Sequence, residues 1–527
     1  MLLEASNLRH SVADRMLFEI EYVKVEKGER IGLVGANGCG KTTLLKGLAE
    51  ESRLDEGIVI KQGTCELLPQ LKRTNALKSG GELTQEYINQ ALLKEPKILF
   101  ADEPTTHLDT DHIEWLEKKF KSWKGALVIV SHDRAFLDAV CTKIWELSDE
   151  GLKEFKGNYT EYAKQKEILK RKHKSDYEKY EAKKKQLETA LKAKEQKAKR
   201  ATKKPKNVSR SEASITGAKP YFAKKQKKLQ QVGKSIETRL TKLEKVEKPK
   251  EAVDLKMTLP HEGSMNGRIM IRIENLAGAA GSKLLWEKNS FHLCGGEKVA
   301  VIGPNGSGKT TFIKKIIEAG EGIKLSPSLK VGYFSQDLSI LKLEKNILEN
   351  VSEGSIQSES LIRTVLARLY FRREDVYKPV KVLSGGERVK VALAKLFVSD
   401  INALILDEPT NFLDVPAVEA LESLLQEYKG SIVVVSHDRR FLENVATKVI
   451  AIERKQLKYF ERPYKEYRRF ESKKSKEERD ISEDQALVLE TKISEVLSRL
   501  SIEPTEELEK EFKSLIEERR KHTGNKY

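Results

Sequence analysis

Residues 35–43 read GANGCGKTT, and residues 303–311 read GPNGSGKTT. Both fit the pattern G-x-x-x-x-G-K-T, in which glycines let backbone N–H groups curl around phosphates at the N-terminus of a helix. A loop of this kind joins a buried strand to a helix, so each copy predicts one phosphate-binding domain. The expected fold class is α/β, with two tandem P-loop ATPase domains.

The two loops begin a motif set that recurs in the same order. In the first half the later members are Gln70, KSGGE at 78–82, ILFADEP at 98–104, LD at 108–109 and His132; in the second half they are Gln336, LSGGE at 383–387, LILDEP at 404–409, LD at 413–414 and His437. Lys309 lies 268 residues after Lys41, whereas Ser384 lies 305 residues after Ser79. The chain is therefore an internal duplication, and most of the length difference lies between the Gln and the SGGE signature.

The motif residues have the functional groups that phosphoryl transfer requires. Lys41 and Lys309 supply positive charge for the β- and γ-phosphates of ATP. The predicted Mg²⁺ ligands are a hydroxyl, an amide and a carboxylate in each half: Thr42, Gln70, Asp102, Thr310, Gln336 and Asp407. The predicted catalytic residues are a carboxylate that polarises the attacking water and a histidine that senses the γ-phosphate: Glu103, Glu408, His132 and His437. ATP and Mg²⁺ are the expected cofactors.

The SGGE signatures, the DEP sequences and the two histidines resemble those of ATP-binding cassette domains, over residues 1 to about 157 and about 268 to 470. The resemblance implies that the two cassettes face head to tail, so that each site is composite. Lys41 would share an ATP with Ser384 and Gly386, and Lys309 with Ser79 and Gly81. The nucleotide-contacting residues expected on this basis are Gly35, Asn37, Gly38, Gly40, Lys41, Thr42, Thr43, Gln70, Ser79, Gly80, Gly81, Gly303, Asn305, Gly306, Gly308, Lys309, Thr310, Thr311, Gln336, Ser384, Gly385 and Gly386.

The positive charge of the chain lies between the cassettes. Residues 161–250 hold 30 Lys and Arg against 11 Asp and Glu, a net charge of +19, whereas the whole chain has +17. Apolar residues from Leu229 through Ile236 to Val246 repeat at the three-four spacing of a coiled-coil seam. We therefore predict an antiparallel helical hairpin over 158–252, with its tip near 201–222, where Pro, Ser and Gly interrupt the helical pattern.

The predicted tip has the composition of an RNA-binding surface. Residues 192–210 hold nine basic residues and one acidic residue, and two aromatic residues follow. A run of charge on a long helix is usually only a solvated face, but clustering of one sign next to aromatics favours phosphate contacts and base stacking. The predicted nucleic-acid contacts are Lys197, Lys199, Arg200, Lys203, Lys204, Lys206, Arg210, Lys219, Tyr221 and Phe222. The two aromatic residues would stack on bases or pack back onto the hairpin.

Two fused cassettes, no membrane part and a charged hairpin linker resemble the ABC-F family, whose members act on ribosomes. The hairpin segment KAKEQKAKRATKKPKNVSRSEASITGAKPYFAKKQKK and the short first cassette are most similar to the Vga-type antibiotic-resistance proteins. This resemblance implies a monomer that binds the 70S ribosome at the tRNA exit site and contacts large-subunit rRNA and P-site tRNA. Its hairpin tip would protect the peptidyl-transferase centre from lincosamides, pleuromutilins and streptogramins A.

Two other functions compete with this interpretation. A transporter ATPase subunit with a separate membrane partner is disfavoured by the basic segment between the cassettes, which transport does not require. A housekeeping translation factor of the same family remains open. No stretch approaches 18 apolar residues, no secretory signal is present, and the four cysteines stand singly, so we expect a cytoplasmic protein.

The sequence departs from the cassette pattern in two features. Gln70 and Ser79 are 9 residues apart, against 48 for Gln336 and Ser384, so the first cassette is predicted to have a reduced helical subdomain. The usual position of an adenine-stacking aromatic holds Val12 or Ala280, with His10 as the nearest substitute, and leaves the choice between ATP and GTP open. The second cassette is predicted over 253–470. The last segment, 471–527, predicts a helical extension that could pad the fold or touch the ribosome.

Overall fold

The structure is a computed structural model. It describes residues 1–12, 15–70, 80–106, 108–148, 151–201, 218–248, 267–335, 337–371, 373–471, 473, 489, 491–498, 500 and 506–523. The chain forms two compact units: the first consists of Met1–Val140, Glu146–Leu152 and Leu255–Tyr527, and the second of Cys141–Trp145 and Lys153–Asp254. The first unit contains both phosphate loops, and the second contains the long helices between the cassettes.

The first cassette has two sheets. An antiparallel sheet of order β2-β1-β4 contains β1 (Leu3–Val12), β2 (Arg15–Val25) and β4 (Glu56–Lys61). A six-stranded sheet of order β5-β6-β7-β3-β8-β9 contains β3 (Arg30–Val34), β5 (Cys65–Leu68), β6 (Ile98–Asp102), β7 (Ala126–Val130), β8 (Lys143–Ser148) and β9 (Gly151–Lys156). The helices are α1 (Lys41–Ala49), α2 (Gly80–Leu93), α3 (Thr110–Ser122) and α4 (Arg134–Val140).

The second cassette repeats this plan. Its antiparallel sheet of order β11-β10-β13 contains β10 (Ile269–Ala280), β11 (Lys283–Cys294) and β13 (Ile323–Leu325). Its six-stranded sheet of order β14-β15-β16-β12-β17-β18 contains β12 (Lys298–Ile302), β14 (Val331–Phe334), β15 (Ala403–Asp407), β16 (Ser431–Val435), β17 (Lys448–Glu453) and β18 (Gln456–Phe460). The strand order matches the first cassette position by position, which confirms the predicted α/β fold with two P-loop domains.

The helices of the second cassette are more numerous. They are α7 (Lys309–Ile317), α8 (Ile347–Ser352), α9 (Glu359–Arg368), α10 (Gly385–Val398), α11 (Val415–Glu427) and α12 (Arg439–Val445), with short 3₁₀ turns at Arg373–Tyr377 and Val380–Val382. The last described helix, α13, spans Glu506–Thr523. Between β14 and α10, the helices α8 and α9 form a helical subdomain that packs on α10.

The central strands explain why the sheets form. Strands β6, β7, β15 and β16 are five residues long and buried at every position, and they are apolar except for the last residue of β6 and β15, an Asp, and the first residue of β16, a Ser. Runs of this kind are typical of parallel strands that are covered by helices on both faces. Parallel strands place their carboxyl ends at one edge of the sheet, and ligands of open α/β sheets bind at that edge. The loops after β3, β6 and β7 are therefore expected to form the site.

The second unit contains two long helices that pack together. Helix α5 spans Tyr159–Ala201, 43 residues, and α6 spans Ala218–Thr241. At about 1.5 Å per residue, α5 is about 65 Å long. Ala198 on α5 and Ile236 on α6 are buried although the unit is mostly polar.

Two features of this unit differ from the expectation. Helix α6 begins at Ala218, inside the predicted tip. Pro220, at the third helical position, is compatible with this start, because the N–H groups of the first turn have no acceptor within the helix. The predicted seam continues to Val246, but the helix ends at Thr241, where the Leu243 N–H bonds the Leu240 carbonyl at 3.3 Å in a tighter turn. Residues 202–217, which make up most of the predicted tip, lie outside the described residues.

Candidate active site

The phosphate loops join β3 to α1 and β12 to α7. The backbone at Gly308 has a φ of 100°, and a Cβ there would lie 2.5 Å from the Trp286 ring, so only glycine fits. A Cβ on Gly303 would lie 2.4 Å from the Ile452 carbonyl oxygen. These close approaches hold the loop tight against the sheet, and no side chain of the N-cap residue bonds the first N–H groups of either helix. The result is an anion-binding helix N-terminus in each cassette.

Each loop lysine is folded over its own loop. Lys41 Nζ donates to the carbonyl oxygens of Gly35 at 2.9 Å and Ala36 at 3.0 Å. Lys309 Nζ makes the equivalent bonds to Gly303 at 2.8 Å and Pro304 at 3.0 Å. Burial lowers the pKa of Lys309, while the nearby carboxylates oppose that shift. Both lysines lie where they can reach phosphates held by the loop.

A hydroxyl and a carboxylate meet beside each loop. Thr310 Oγ1 donates to Asp407 Oδ2 at 3.0 Å, and Asp102 accepts a side-chain hydrogen bond from Thr42. Burial raises the pKa of both aspartates, and the threonine hydroxyl opposes the shift. Asp407 Oδ1 is buried, and no described residue gives it a hydrogen bond. Hard oxygen ligands with an acceptor left over fit Mg²⁺, which is usually held by one or two protein ligands plus phosphates.

The glutamates after these aspartates contact the switch histidines. His132 Nε2 lies 3.4 Å from Glu103 Oε1, and His437 Nε2 lies 3.5 Å from Glu408 Oε1. Burial raises the pKa of Glu103 to about 8, whereas burial and the positive charge of the loop lysine lower the pKa of each histidine to about 3. The histidines are therefore neutral near pH 7.

Both glutamates have an unusual backbone. Glu103 has a φ of 51° and Glu408 a φ of 52°, in the left-handed region that non-glycine residues rarely adopt. Each costs about 1–3 kcal/mol and persists only where the surroundings impose it. The same backbone conformation therefore recurs at the same motif position in both cassettes.

One cavity of about 1690 Å³ contacts both phosphate loops. Ligand pockets are commonly about 300–1,000 Å³, so this volume suits more than one nucleotide. Ser384, Gly385 and Gly386 line the same cavity as Lys41. A Cβ on Gly386 would lie 3.2 Å from Asn37 Nδ2, which shows how closely the second signature approaches the first loop.

Two aspartates outside the predicted set join the cassettes. Asp414 Oδ2 accepts from the Asn37 backbone N–H at 2.9 Å, and Asp109 Oδ2 accepts from the Asn305 N–H at 3.1 Å. Each aspartate caps its own helix with the other oxygen and bonds the opposite phosphate loop. The sequence signal was present, because the LD pairs recur in register, but the residues alone assign no partner to them.

Most predicted ATP-site residues line the cavity. The lining members are Asn37, Gly38, Gly40, Lys41, Thr42, Thr43, Gln70, Asp102, Glu103, His132, Asn305, Gly306, Gly308, Lys309, Thr310, Thr311, Ser384, Gly385, Gly386, Asp407, Glu408 and His437. Gly35 and Gly303 stand at the start of the two loops. Ser79 and Gln336 lie outside the described residues, and Gly80 and Gly81 open helix α2.

The expected base-binding positions divide in two. Ala280 lines the cavity, together with Arg15, Leu17 and Leu285. His10 instead contacts Asp55, with 3.4 Å between Nδ1 and Oδ1, and its ring lies 6.1 Å from that of Phe18. The aromatic residues that line the cavity, Tyr87, Tyr370 and Phe412, stand at other positions of the sequence.

The predicted RNA-contacting residues lie in the second unit. Lys197, Lys199 and Arg200 are exposed near the end of α5. Lys219, Tyr221 and Phe222 belong to the first turns of α6. Lys203, Lys204, Lys206 and Arg210 lie outside the described residues. Within the described part of the chain, no helix is long and apolar enough to cross a bilayer.

Comparison with known proteins identifies relatives over most of the chain. A family model described as "ABC transporter" matches residues 21–76 and 286–411. The ribosome protection protein VmlR of Bacillus subtilis (strain 168) is 32% identical over 94% of this chain and 93% of its own length. The erythromycin resistance ATP-binding protein MsrA of Staphylococcus epidermidis is 33% identical over 84% of this chain and 96% of its own. Among solved structures, the RNase-L Inhibitor matches with a TM-score of 0.55 at 20% identity, over 85% of this chain and 87% of its own, and shares the fold.

Proposed function

The chain belongs to the ABC-F family of ATPases, and from this premise we propose that it binds the ribosome with ATP, leaves after hydrolysis and protects the ribosome from antibiotics. The observation that carries the proposal is the similarity to VmlR over 94% of the chain. A match of this length must include both cassettes and the long helices between them, because the residues outside the match are fewer than any of these parts contains. The proposed place of action is the cytoplasm, where ribosomes are.

The ATP sites supply the first part of the proposed cycle. When bound, ATP provides the phosphoanhydride that is cleaved, and Mg²⁺ neutralises the charge on its phosphates. The proposed magnesium ligands are Thr42, Gln70 and Asp102 in the first cassette and Thr310, Gln336 and Asp407 in the second. The loop N–H groups and the two lysines hold the phosphates.

The buried glutamates supply the proton acceptor. Glu103 and Glu408 are placed to orient the attacking water and accept its proton at a carboxylate oxygen. Burial raises the pKa of Glu103 to about 8, so its ionised carboxylate is a stronger proton acceptor than an exposed one. The neutral histidines are proposed to contact the γ-phosphate and to orient the glutamates 3.4–3.5 Å away.

Closure of the cassettes is proposed to be the switch. Lys41 lines the same cavity as Ser384 and Gly386, so ATP bound there would contact both cassettes. By the same logic Lys309 would share its ATP with Ser79 and Gly81. Binding would then favour the closed form and hydrolysis would release it, because a ligand shifts an equilibrium only through contacts that differ between the two states.

The helices between the cassettes supply the proposed ribosome contacts. The three exposed basic residues Lys197, Lys199 and Arg200 would contact phosphates of large-subunit rRNA or P-site tRNA. We place the protein at the tRNA exit site as a monomer, with the turn between α5 and α6 directed at the peptidyl-transferase centre. The drug classes proposed are lincosamides, pleuromutilins and streptogramins A.

Shortening that turn tests the proposal. Deletion of residues 209–217 leaves every phosphate-loop, metal and signature residue in place, so ATPase activity and ribosome binding should remain near normal. Protection of cells from the three drug classes should be lost or altered. Replacement of residues 209–217 by a Gly and Ser segment of equal length is the matched control, because it keeps the length of the turn and removes only its side chains.

Three outcomes would overturn parts of the proposal. Protection that survives the deletion against every drug would remove the turn as the effector. An unchanged drug susceptibility in cells that lack the protein altogether would favour a housekeeping translation factor. Co-purification with membranes and not with ribosomes would favour a transporter subunit.

A further inference from the structure

Two arginines cross from one cassette to the other. Arg134 follows His132 by two residues and begins α4, and its side chain is 3% exposed. Its Nη1 donates to Glu422 Oε2 at 3.2 Å, and its Nη2 donates to Glu422 Oε1. Glu422 lies on α11 of the other cassette, and its side chain is 9% exposed. The pair is therefore bidentate, buried and shared between cassettes.

The duplication supplies a second pair. Arg439 begins α12 and follows His437 by two residues, as Arg134 follows His132. Its Nη2 donates to Glu117 Oε1 on α3 of the first cassette, with both side chains largely buried. Arg439 lies 305 residues after Arg134, and Glu422 lies 305 residues after Glu117. We call Arg134 with Glu422 the first clamp and Arg439 with Glu117 the second clamp.

Each clamp holds a helix that is already fixed at its start. Helix α11 is capped by Asp414, which accepts a hydrogen bond from the Asn37 N–H of the phosphate loop at 2.9 Å. Glu422 lies eight residues further on, about 12 Å along the helix axis. The first cassette therefore holds α11 at two points, one at its phosphate loop and one beside its switch histidine. Helix α3 is held in the same way by Asn305 and Arg439.

The charges around the clamps tie the two together. Arg134 Nη2 lies 3.6 Å from Asp438 Oδ2, the residue next to Arg439. Arg439 Nη1 lies 3.9 Å from Glu114 Oε1, which also bonds Arg468. Asn444 Nδ2 donates to Glu422 Oε2 at 3.0 Å. A buried ion pair of this kind is costly to break, because removal of one partner strands the other charge away from water.

We propose that Arg134 and Arg439 are positioning residues for ATP hydrolysis, which hold the opposite helix where its aspartate meets the phosphate loop and so join each switch histidine to that contact. Each clamp closes a ring around one site. In the first ring the order is Asn37, Asp414, Glu422, Arg134 and His132. Loosening the clamp moves the aspartate relative to the loop, and the γ-phosphate end of the site loses its geometry while the loop still binds nucleotide.

Substitutions in the full-length protein test this proposal. Glu422→Gln removes one charge and keeps the size of the side chain. Turnover at saturating ATP should fall about tenfold, while the Kd for a nonhydrolysable ATP analogue changes less than about twofold, since the interaction acts on the reacting geometry. Arg134→Lys keeps the charge but loses the paired N–H groups, so its kcat should fall between those of wild type and Glu422→Gln.

A double-mutant cycle separates positioning from general stability. Arg134→Ala and Glu422→Ala should each lower kcat, and the combined variant should be no worse than the worse single variant, because it leaves no stranded charge. Arg462→Ala, which breaks an exposed pair with Glu466 four residues further on, is the matched control and should leave kcat unchanged. Melting temperatures establish that each variant is folded at the assay temperature.

Two results would overturn the assignment. One is a wild-type kcat in the folded variants Glu422→Gln and Arg439→Lys. These two milder substitutions also decide whether the clamps position the site if Arg134→Ala does not fold. The other is strict additivity of the two alanine substitutions, which would mean that the two side chains act independently.

Discussion

The two cassettes share one ATP-binding core and differ in what supports the signature. Their six-stranded sheets have the same strand order, and both place a lysine, an aspartate, a glutamate and a histidine around the loop. In the second cassette 48 residues separate Gln336 from Ser384, and they form α8, α9 and two 3₁₀ turns. In the first cassette only 9 residues separate Gln70 from Ser79, so the chain has no room there for such helices.

The second signature is built into that subdomain. Ser384 caps α10 in a capping box with Glu387, and Arg388 Nη2 donates to the Lys381 carbonyl at 2.7 Å. Nearly all of α10 beyond its first turn is buried. The two cassettes thus share the ATP-binding core, but among the described residues only the second signature is packed against helices α8 and α9. This second signature lines the same cavity as Lys41. We therefore expect the two composite sites to be unequal.

Removal of the two carboxylates proposed to activate water is the strongest test of that inequality. Glu103→Gln with Glu408→Gln should lower turnover by about 10²–10⁴-fold while ATP binding is kept. Among the single variants, Glu103→Gln should cost more, because its site faces the supported signature. Steady-state ATPase rates check this, with binding of a nonhydrolysable analogue as the control. A larger loss from Glu408→Gln would reverse the comparison.

Loss of the subdomain's internal bonding should have the next largest effect. Asn350 is fully buried; its Nδ2 donates to three carbonyls, of Lys342, Lys345 and Asn346, and its Oδ1 accepts from the Lys342 N–H. Asn350→Leu leaves these groups unpaired and should lower the free energy of unfolding by about 2–4 kcal/mol. Denaturant unfolding measures this, and ATPase assays in a Glu408→Gln background report on the Lys41 site alone.

Asn402 is the matched control. It is also fully buried and bonds Ser328 and Lys330 at the sheet, away from the signature. Asn402→Leu should destabilise the fold comparably but slow the Lys41 site less than Asn350→Leu does. Equal slowing by both variants would mean that the helical subdomain does not support the signature at the Lys41 site.

The smallest predicted effect is a pH dependence at the centre of the cassette pair. Burial, together with the Asp438 charge, raises the pKa of Asp133 to about 6, while Arg439 opposes the shift. Because this folded-state pKa lies above the ordinary value, the stability it contributes is present below about pH 4 and is lost as pH rises through 6. Asp133→Asn stays neutral and can still cap α4 by accepting the Phe136 N–H.

Thermal melting across pH checks this expectation. Relative to wild type, Asp133→Asn should gain about 2–4 °C in Tm between pH 4.5 and pH 7.5. Asp438→Asn, the equivalent position of the other cassette, removes the neighbouring charge and should flatten the same profile in part. A difference between Asp133→Asn and wild type that is constant with pH would contradict the assignment.

The sequence alone was sufficient for the core. The repeated phosphate loops, the apolar runs that end in Asp102 and Asp407 and the histidines after β7 and β16 predicted both cassettes, because these motifs are local and their chemistry depends on a few adjacent residues. The spacing of Gln70 and Ser79 predicts a reduced first subdomain, and residues 71–79 lie outside the described residues. The end of the hairpin seam was not predicted correctly, because a helix terminus depends on competing turn geometries that differ by little free energy.

Only the tertiary structure decided which residues act across the cassettes. Asp414 meets Asn37 over a separation of 377 residues, and Arg134 meets Glu422 over 288. Glu422 recurs 305 residues after Glu117, but the sequence assigns neither glutamate a partner in the other cassette. The role of Glu422 follows from burial, since the packing of two cassettes removes water from Arg134 and Glu422 and makes each the necessary partner of the other. The motifs determine the local chemistry of each site, whereas the packing of the two copies determines which residues meet across the cassettes.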